Sequence, residues 1–120
     1  MNLFSALVVD GDPLVRRLTC RTLRRHGYTA EDVASGQEAL ERLDAGSHDL
    51  SLIISDIMMP GMSGHALLDQ LMKRSNTPKV MLMSGYDASG SSKEHKVPFL
   101  SKPFHPSRLL QKVREVLDEG

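Results

Sequence analysis

The stretch LSLIISDIMMPGMSG, Leu50 to Gly64, decides the fold. Leu50 to Ile54 is an almost unbroken apolar run, the pattern of a strand covered on both faces rather than one. The run ends near an acid, Asp56, and the loop MMPGMSG follows. A buried strand that delivers a carboxylate into a Gly/Pro-rich loop is the signature of an α/β sheet with chemistry at one edge.

The same alternation extends in both directions. Leu3 to Val9 reads as a strand, and Pro13 suits the first turn of a helix because its missing N–H would be unpaired there. That helix is expected to reach His26, with Gly27 as its stop. Its apolar face is read as Leu14, Val15, Leu18, Thr22 and Leu23, and Cys20 falls among the arginines of the opposite, exposed side. Tyr28 to Val33 is a weak strand. Ser35 and Glu38 form a capping box opening a short helix with Ala39, Leu40 and Leu43 inside. Downstream, His65 to Arg74 is a helix with a stripe of Leu67, Leu68, Leu71 and Met72. Val80 to Met83 and Phe99 to Ser101 are strands. A last helix begins near Pro106, with Leu109, Leu110, Val113, Val116 and Leu117 at helical spacing. Strands alternating with helices predict a parallel sheet with helices on both faces.

The balance of the chain narrows its class. Its 120 residues suit one domain, 1–120, and fifteen Lys+Arg offset fifteen Asp+Glu. A nucleic-acid binder more often carries a basic excess, so no direct nucleic-acid contact is expected. A single cysteine excludes an internal disulfide framework and favours the reducing cytoplasm. No apolar stretch is long enough to span a membrane, and the N-terminal residues lack the pattern of a signal peptide. His26, His48, His65, His95 and His105 lack metal-ligand spacing. Met58, Met59 and Met62 read as loop packing.

Ligands bind such sheets at the carboxyl ends of the strands. Asp10 and Asp12 follow the first strand, Asp56 the third, Ser84 the fourth and Lys102 the fifth. Clustered carboxylates need a cation, and Mg²⁺ takes one or two carboxylates with water and phosphate oxygens. An aspartate can attack phosphorus to form an acyl phosphate, while an ammonium and a hydroxyl neutralise and bind the transferred group.

At this point the chain resembles the response regulator receiver family. LVVDGDPLVRR, LIISDIMMPGMSG, VMLMSGYD and FLSKPF are similar to its four signature stretches, in order and across nearly the whole length. The last two pieces look most like receivers fused to hybrid histidine kinases. The resemblance implies one doubly wound, flavodoxin-like domain with a five-stranded parallel sheet in the order 2-1-3-4-5. It implies Asp56 as phosphoacceptor, with Ser84 and Lys102 contacting the phosphoryl group. Asp10, Asp56 and the Met58 carbonyl would hold Mg²⁺, with Asp12 as an added candidate. Ser84 and Phe99 would form the switch, and the Lys102–Pro103 bond would be cis. Partners would be a histidine kinase or histidine phosphotransfer protein, then a downstream protein or fused output domain. Such a domain modifies itself and turns over no small-molecule substrate.

Two departures stand out. Gly11 replaces the acid that usually touches the metal, which raises the alternative of a pseudo-receiver that binds without switching, although Asp56, Ser84 and Lys102 point against it. DASGSSKEHKV, residues 87–97, replaces the usual fourth helix with a short, polar stretch, so that helix is expected to be short or disordered. An α/β phosphatase with an aspartyl nucleophile is a third reading. It lacks support because Ile57 and Met58 supply no second acid.

Overall fold

Each apolar run forms a strand, and each capped amphipathic segment returns the chain over one face of the resulting sheet. The computed structural model describes residues 4–46, 50–74, 77–85 and 97–118. The strands are β1 (Ser5–Val9), β2 (Thr29–Val33), β3 (Leu52–Asp56), β4 (Lys79–Ser84) and β5 (Phe99–Ser101). The helices are α1 (Pro13–Arg25), α2 (Gly36–Asp44), α3 (Gly64–Met72) and α4 (Pro106–Asp118). The sheet runs β2-β1-β3-β4-β5 and every pairing is parallel.

Period-two alternation divides the strand side chains between two cores. Ala6, Val8, Leu52, Ile54, Met81 and Met83 face α1 and α4, where Leu23, Leu109, Val113 and Val116 cover them. Leu7, Val9 and Ile53 face the opposite side, closed by Ala39 and Leu43 of α2 and Leu67 and Leu71 of α3. A smaller cluster joins Ile57, Leu68 and Leu82, with Phe99 packed partly against it. β3 is buried along its whole length, as a strand covered on both faces must be.

Caps set the helix starts. Asp12 Oδ1 accepts from the Leu14 N–H at 2.9 Å, Ser35 Oγ from Glu38 at 3.1 Å and Ser63 Oγ from Ala66 at 3.1 Å. Gly27 adopts φ 92° just beyond α1, which releases the chain into β2.

Several boundaries and faces differ from the sequence reading. β3 starts at Leu52 rather than Leu50 and continues through Ser55 and Asp56, because these two polar residues are themselves buried. α1 is rotated from its expected phase. It buries Thr19, Cys20 and Leu23, while Leu14 and Leu18 are 65% and 53% exposed. Thr19 can be buried because its hydroxyl donates to the Val15 carbonyl at 2.8 Å. Cys20 is therefore a core thiol, not a surface one. Met72 is 67% exposed at the end of α3 and does not belong to its buried stripe. Met59 and Met62 pack against the core, but Met58 does not and is 62% exposed. Tyr86 and residues 87–96, on which the expected weak helix falls, lie outside the described residues, as do His48 and His95.

Candidate functional site

Parallel pairing in register brings the carboxyl ends of the strands to one edge. Val9 pairs with Ser55, Asp56 with Met83, and Ser84 with Ser101. Asp56 and Ser84 consequently end neighbouring strands, while Asp10 directly follows β1 and Lys102 directly follows β5. The Lys102 N–H donates to the Ser84 carbonyl at 2.8 Å, which ties the ends of β4 and β5 together. The Lys102–Pro103 peptide is cis.

The side chains form a compact charged group. Lys102 Nζ lies 2.7 Å from Asp10 Oδ2 and 3.2 Å from Asp56 Oδ2. Asp10 is fully buried, and Asp56 is only 7% exposed. Their remaining oxygens accept backbone N–H groups. Asp12 donates to Asp10 Oδ1 at 2.9 Å, and Met58 donates to Asp56 Oδ1 at 3.3 Å. Two buried carboxylates sharing one ammonium leave a formal excess of one negative charge.

That arrangement shifts both partners. Burial pushes the Asp56 carboxyl above its ordinary value, and the Asp10 charge adds to this, while Lys102 pulls it down. Burial pushes Lys102 down, but the hydrogen bond to Asp10 and the charges of Asp10 and Asp56 outweigh it, so Lys102 ends above its ordinary value. Lys102 is thus held as a cation against the two acids.

A cleft of about 560 Å³ opens over this group, lined by Asp10, Gly11, Asp12, Asp56, Met58 and Lys102 among others. Its donor set is small. Gly11 brings no side chain, and Asp12 spends Oδ1 as the cap of α1. Among the described residues no group of three or more His, Cys, Asp or Glu side chains is arranged to hold a metal. Two carboxylates, with water and phosphate oxygens, still match what Mg²⁺ takes from a protein. The residues present therefore fit Mg²⁺ with a minimal set.

Two residues that the sequence reading passed over help to build the site. Gly64 opens α3 directly against the end of β3. A Cβ there would lie 2.3 Å from the Asp56 carbonyl oxygen and 2.8 Å from Ile57 Cα, so only glycine lets the helix start so close to the acid. The M-x-G ending of the loop is its sequence signal. Arg16, counted among the solvated arginines, reaches back to the Asp10 carbonyl, and only the folded structure shows this. Ser84 is buried at the edge. Phe99 sits one strand away, half-buried beside Leu82 in the smaller cluster.

Comparison with known proteins bears on the family and the fold. The family model described as response regulator receiver domain matches residues 6–114. Sensor kinase CckA of Brucella abortus (strain 2308) is 34% identical over 119 residues, covering 96% of this chain and 13% of that protein. A solved receiver domain from the hybrid histidine kinase CckA superposes with a TM-score of 0.81 at 33% identity, covering 95% of this chain and 99% of that one. Response regulator TrrA of Thermotoga maritima, solved with Mg²⁺ and BeF, gives a TM-score of 0.84 at 29% identity, covering 94% and 98%. The chain spans an eighth of the CckA kinase and less than half of the transcriptional regulatory proteins it also matches.

Proposed function

The chain belongs to the response regulator receiver family of two-component systems, and on that premise we propose that Asp56 accepts a phosphoryl group from a histidine kinase or histidine phosphotransfer protein. The observation that carries this is the placement of Asp56 in the cleft, with Lys102 Nζ 3.2 Å from its Oδ2.

The step follows from the residues. A carboxylate oxygen of Asp56 attacks the phosphorus of a phosphoimidazole. The O–P bond forms, the P–N bond breaks, and its electron pair stays on the imidazole nitrogen, which takes a proton from solvent. Lys102 would face the phosphoryl oxygens with its positive charge, and the Ser84 hydroxyl would donate to one of them. Asp10, Asp56 and the Met58 carbonyl would hold Mg²⁺, which when bound supplies further neutralisation of the phosphoryl charge. Once phosphorylated, Asp56 no longer balances Lys102 as before. Movement of Ser84 and Phe99 then shifts an existing equilibrium between two forms of the β4–β5 face. A downstream protein or a fused output domain reads that change.

The donor has a surface to use. Beside the site an apolar groove of about 500 Å³ is lined by Val15, Leu18, Lys102, Pro103, Phe104 and Pro106, among others. Leu18 of this groove stands exposed on α1, and Leu14, Arg17 and Arg21 are exposed on the same helix. Among the described residues no helix is long and apolar enough to cross a membrane. We place the domain in the cytoplasm on the strength of its free Cys20.

Gly11 supports a second reading, a pseudo-receiver that binds partners without switching. Intact mass after incubation with acetyl phosphate, with and without Mg²⁺, decides between the two. The switch predicts one added phosphoryl group that requires Mg²⁺ and is lost in Asp56→Asn. The pseudo-receiver predicts an unmodified native chain and a Gly11→Asp variant that is phosphorylated. The variant is sterically open, since a Cβ at position 11 meets only Pro60 Cδ at 3.7 Å.

A further inference from the structure

Asp10 is tied at every polar atom. Its N–H donates to the Val33 carbonyl at 3.3 Å, Oδ1 accepts from the Asp12 N–H and Oδ2 from Lys102. Its carbonyl oxygen accepts from an Arg16 guanidinium nitrogen at 2.9 Å. Through Nε the same guanidinium holds Asp32 Oδ2 of β2 at 2.7 Å. Arg16 is thus stretched between the acid at the end of β1 and a carboxylate near the end of β2. It is mostly buried, with 17% of its side chain exposed.

The planar fork of an arginine suits this bridge, since it fixes direction as well as distance. Backbone orientation at Asp10 sets where the carboxylate points, because the side chain has only two torsions beyond it. In this chain that matters more than usual. Gly11 supplies no ligand, and Asp12 is drawn to the cap of α1. Asp10 is left as the acid of the β1–α1 loop that lies beside Asp56 with Lys102 between them.

We propose that Arg16 is a positioning residue for the phosphoacceptor site: braced on Asp32, it holds the Asp10 backbone so that the Asp10 carboxylate faces Asp56 and the divalent cation. The bridge also makes the β2 edge of the sheet part of the site's support. This rests on the receiver reading, because the cation and Asp56 belong to that reading.

The test is Mg²⁺ titration of the full chain, followed by the Gly11 and Asp12 amide resonances, with melting temperature recorded in parallel. The variants are Arg16→Met, Arg16→Lys, Asp32→Asn and the double Arg16→Met/Asp32→Asn, each also made with Gly11→Asp. Loss of a group that orients a metal ligand typically weakens affinity by about ten-fold or more. Arg16→Met is expected to show that loss at temperatures where it is fully folded. Arg16→Lys should recover part of it, and Asp32→Asn should weaken binding less. The double variant should be no weaker than Arg16→Met alone, since the two residues act through one contact. If Arg16→Met lowers the melting temperature but leaves Mg²⁺ affinity within about two-fold, the residue is structural only and the proposal fails. If neither the native chain nor Gly11→Asp binds Mg²⁺, the metal part of the receiver reading fails, and the positioning role fails with it.

Discussion

A methyl group at position 64 would sit 2.3 Å from the Asp56 carbonyl oxygen, closer than any real contact allows. Backbone, not a flexible side chain, is in the way, so α3 must move or the end of β3 must. Gly64→Ala is expected to cost about 1–3 kcal/mol, the usual range for overpacking, and to slow phosphorylation of Asp56 by displacing it. Gly11→Ala meets only Pro60 at 3.7 Å and should stay within about 0.5 kcal/mol of the native chain. Chemical denaturation of both variants checks this, and equal losses would contradict it. Asp56 itself makes a separate prediction. Its carboxyl is pushed up by burial and by Asp10. For such a group, stability is fully present below the ordinary carboxylate range and falls as pH rises through the native value. Without metal at pH 7, Asp56→Asn should therefore melt higher than the native chain, and the gap should close in acid. Melting curves from pH 7 downward in chelator give the answer, and a gap independent of pH would show that charge is not its source.

Among the elements, α1 departs most from its sequence. Leu14, Val15, Leu18 and Thr22 form a plausible apolar stripe, and five arginines suggest a solvated opposite side. The folded helix keeps Leu23 inside, as expected, but buries Thr19 and Cys20 in place of Leu14 and Leu18. Two arginines on the supposed outer side turn back to the protein, Arg16 to Asp10 and Asp32, and Arg24 to the Ala30 carbonyl. Periodicity alone could not separate two adjacent stripes, because a threonine that bonds its own helix is as buryable as a leucine. The consequence is testable at Cys20. Burial, then the Asp32 charge, pushes its thiol from 9.0 up to about 11. At pH 8 the reactive thiolate is then scarcer by roughly a hundred-fold than for an ordinary thiol. Disulfide-exchange reagents should label Cys20 at least that slowly until the protein unfolds. Rapid labelling of native protein would place Cys20 outside the core. The exposed stripe makes the complementary prediction. Leu14→Ser with Leu18→Ser should leave stability within about 1 kcal/mol but reduce phosphotransfer from a cognate kinase. Acetyl phosphate, which needs no docking, should still phosphorylate the variant as fast as the native chain. Equal loss with both donors would move the defect from docking to the site.

At the scale of the whole molecule, the sheet was readable because its logic is repeated along the chain. Short apolar runs end at Asp10, Asp56, Ser84 and Lys102, and a parallel sheet can only bring such ends together. The order β2-β1-β3-β4-β5 was not in the residues themselves and came from resemblance. Strand limits shifted where polar site residues are buried, as at Ser55 and Asp56, since hydropathy cannot mark a strand end that is kept polar for chemistry. Charge is the remaining whole-molecule property, and it bears on the proposed switch. The chain is formally neutral at pH 7, with fifteen basic and fifteen acidic side chains. A phosphoryl group on Asp56 replaces one negative charge by a group carrying about −2, which leaves the molecule net acidic by about one unit. A neutral molecule barely migrates in a native gel at pH 7, so that single unit decides the direction of travel. Phosphorylated chain should run toward the anode, level with Gly11→Asp, which adds one fixed negative charge. Neutral chains also repel one another least, so self-association should be greatest near pH 7 and lower after phosphorylation. Light scattering across pH, with and without acetyl phosphate and Mg²⁺, tests both parts. A phosphorylated chain that comigrates with the unmodified one would mean that the added charge is compensated, for example by a retained divalent cation, and repeating the gel in chelator would separate that from a failure to phosphorylate.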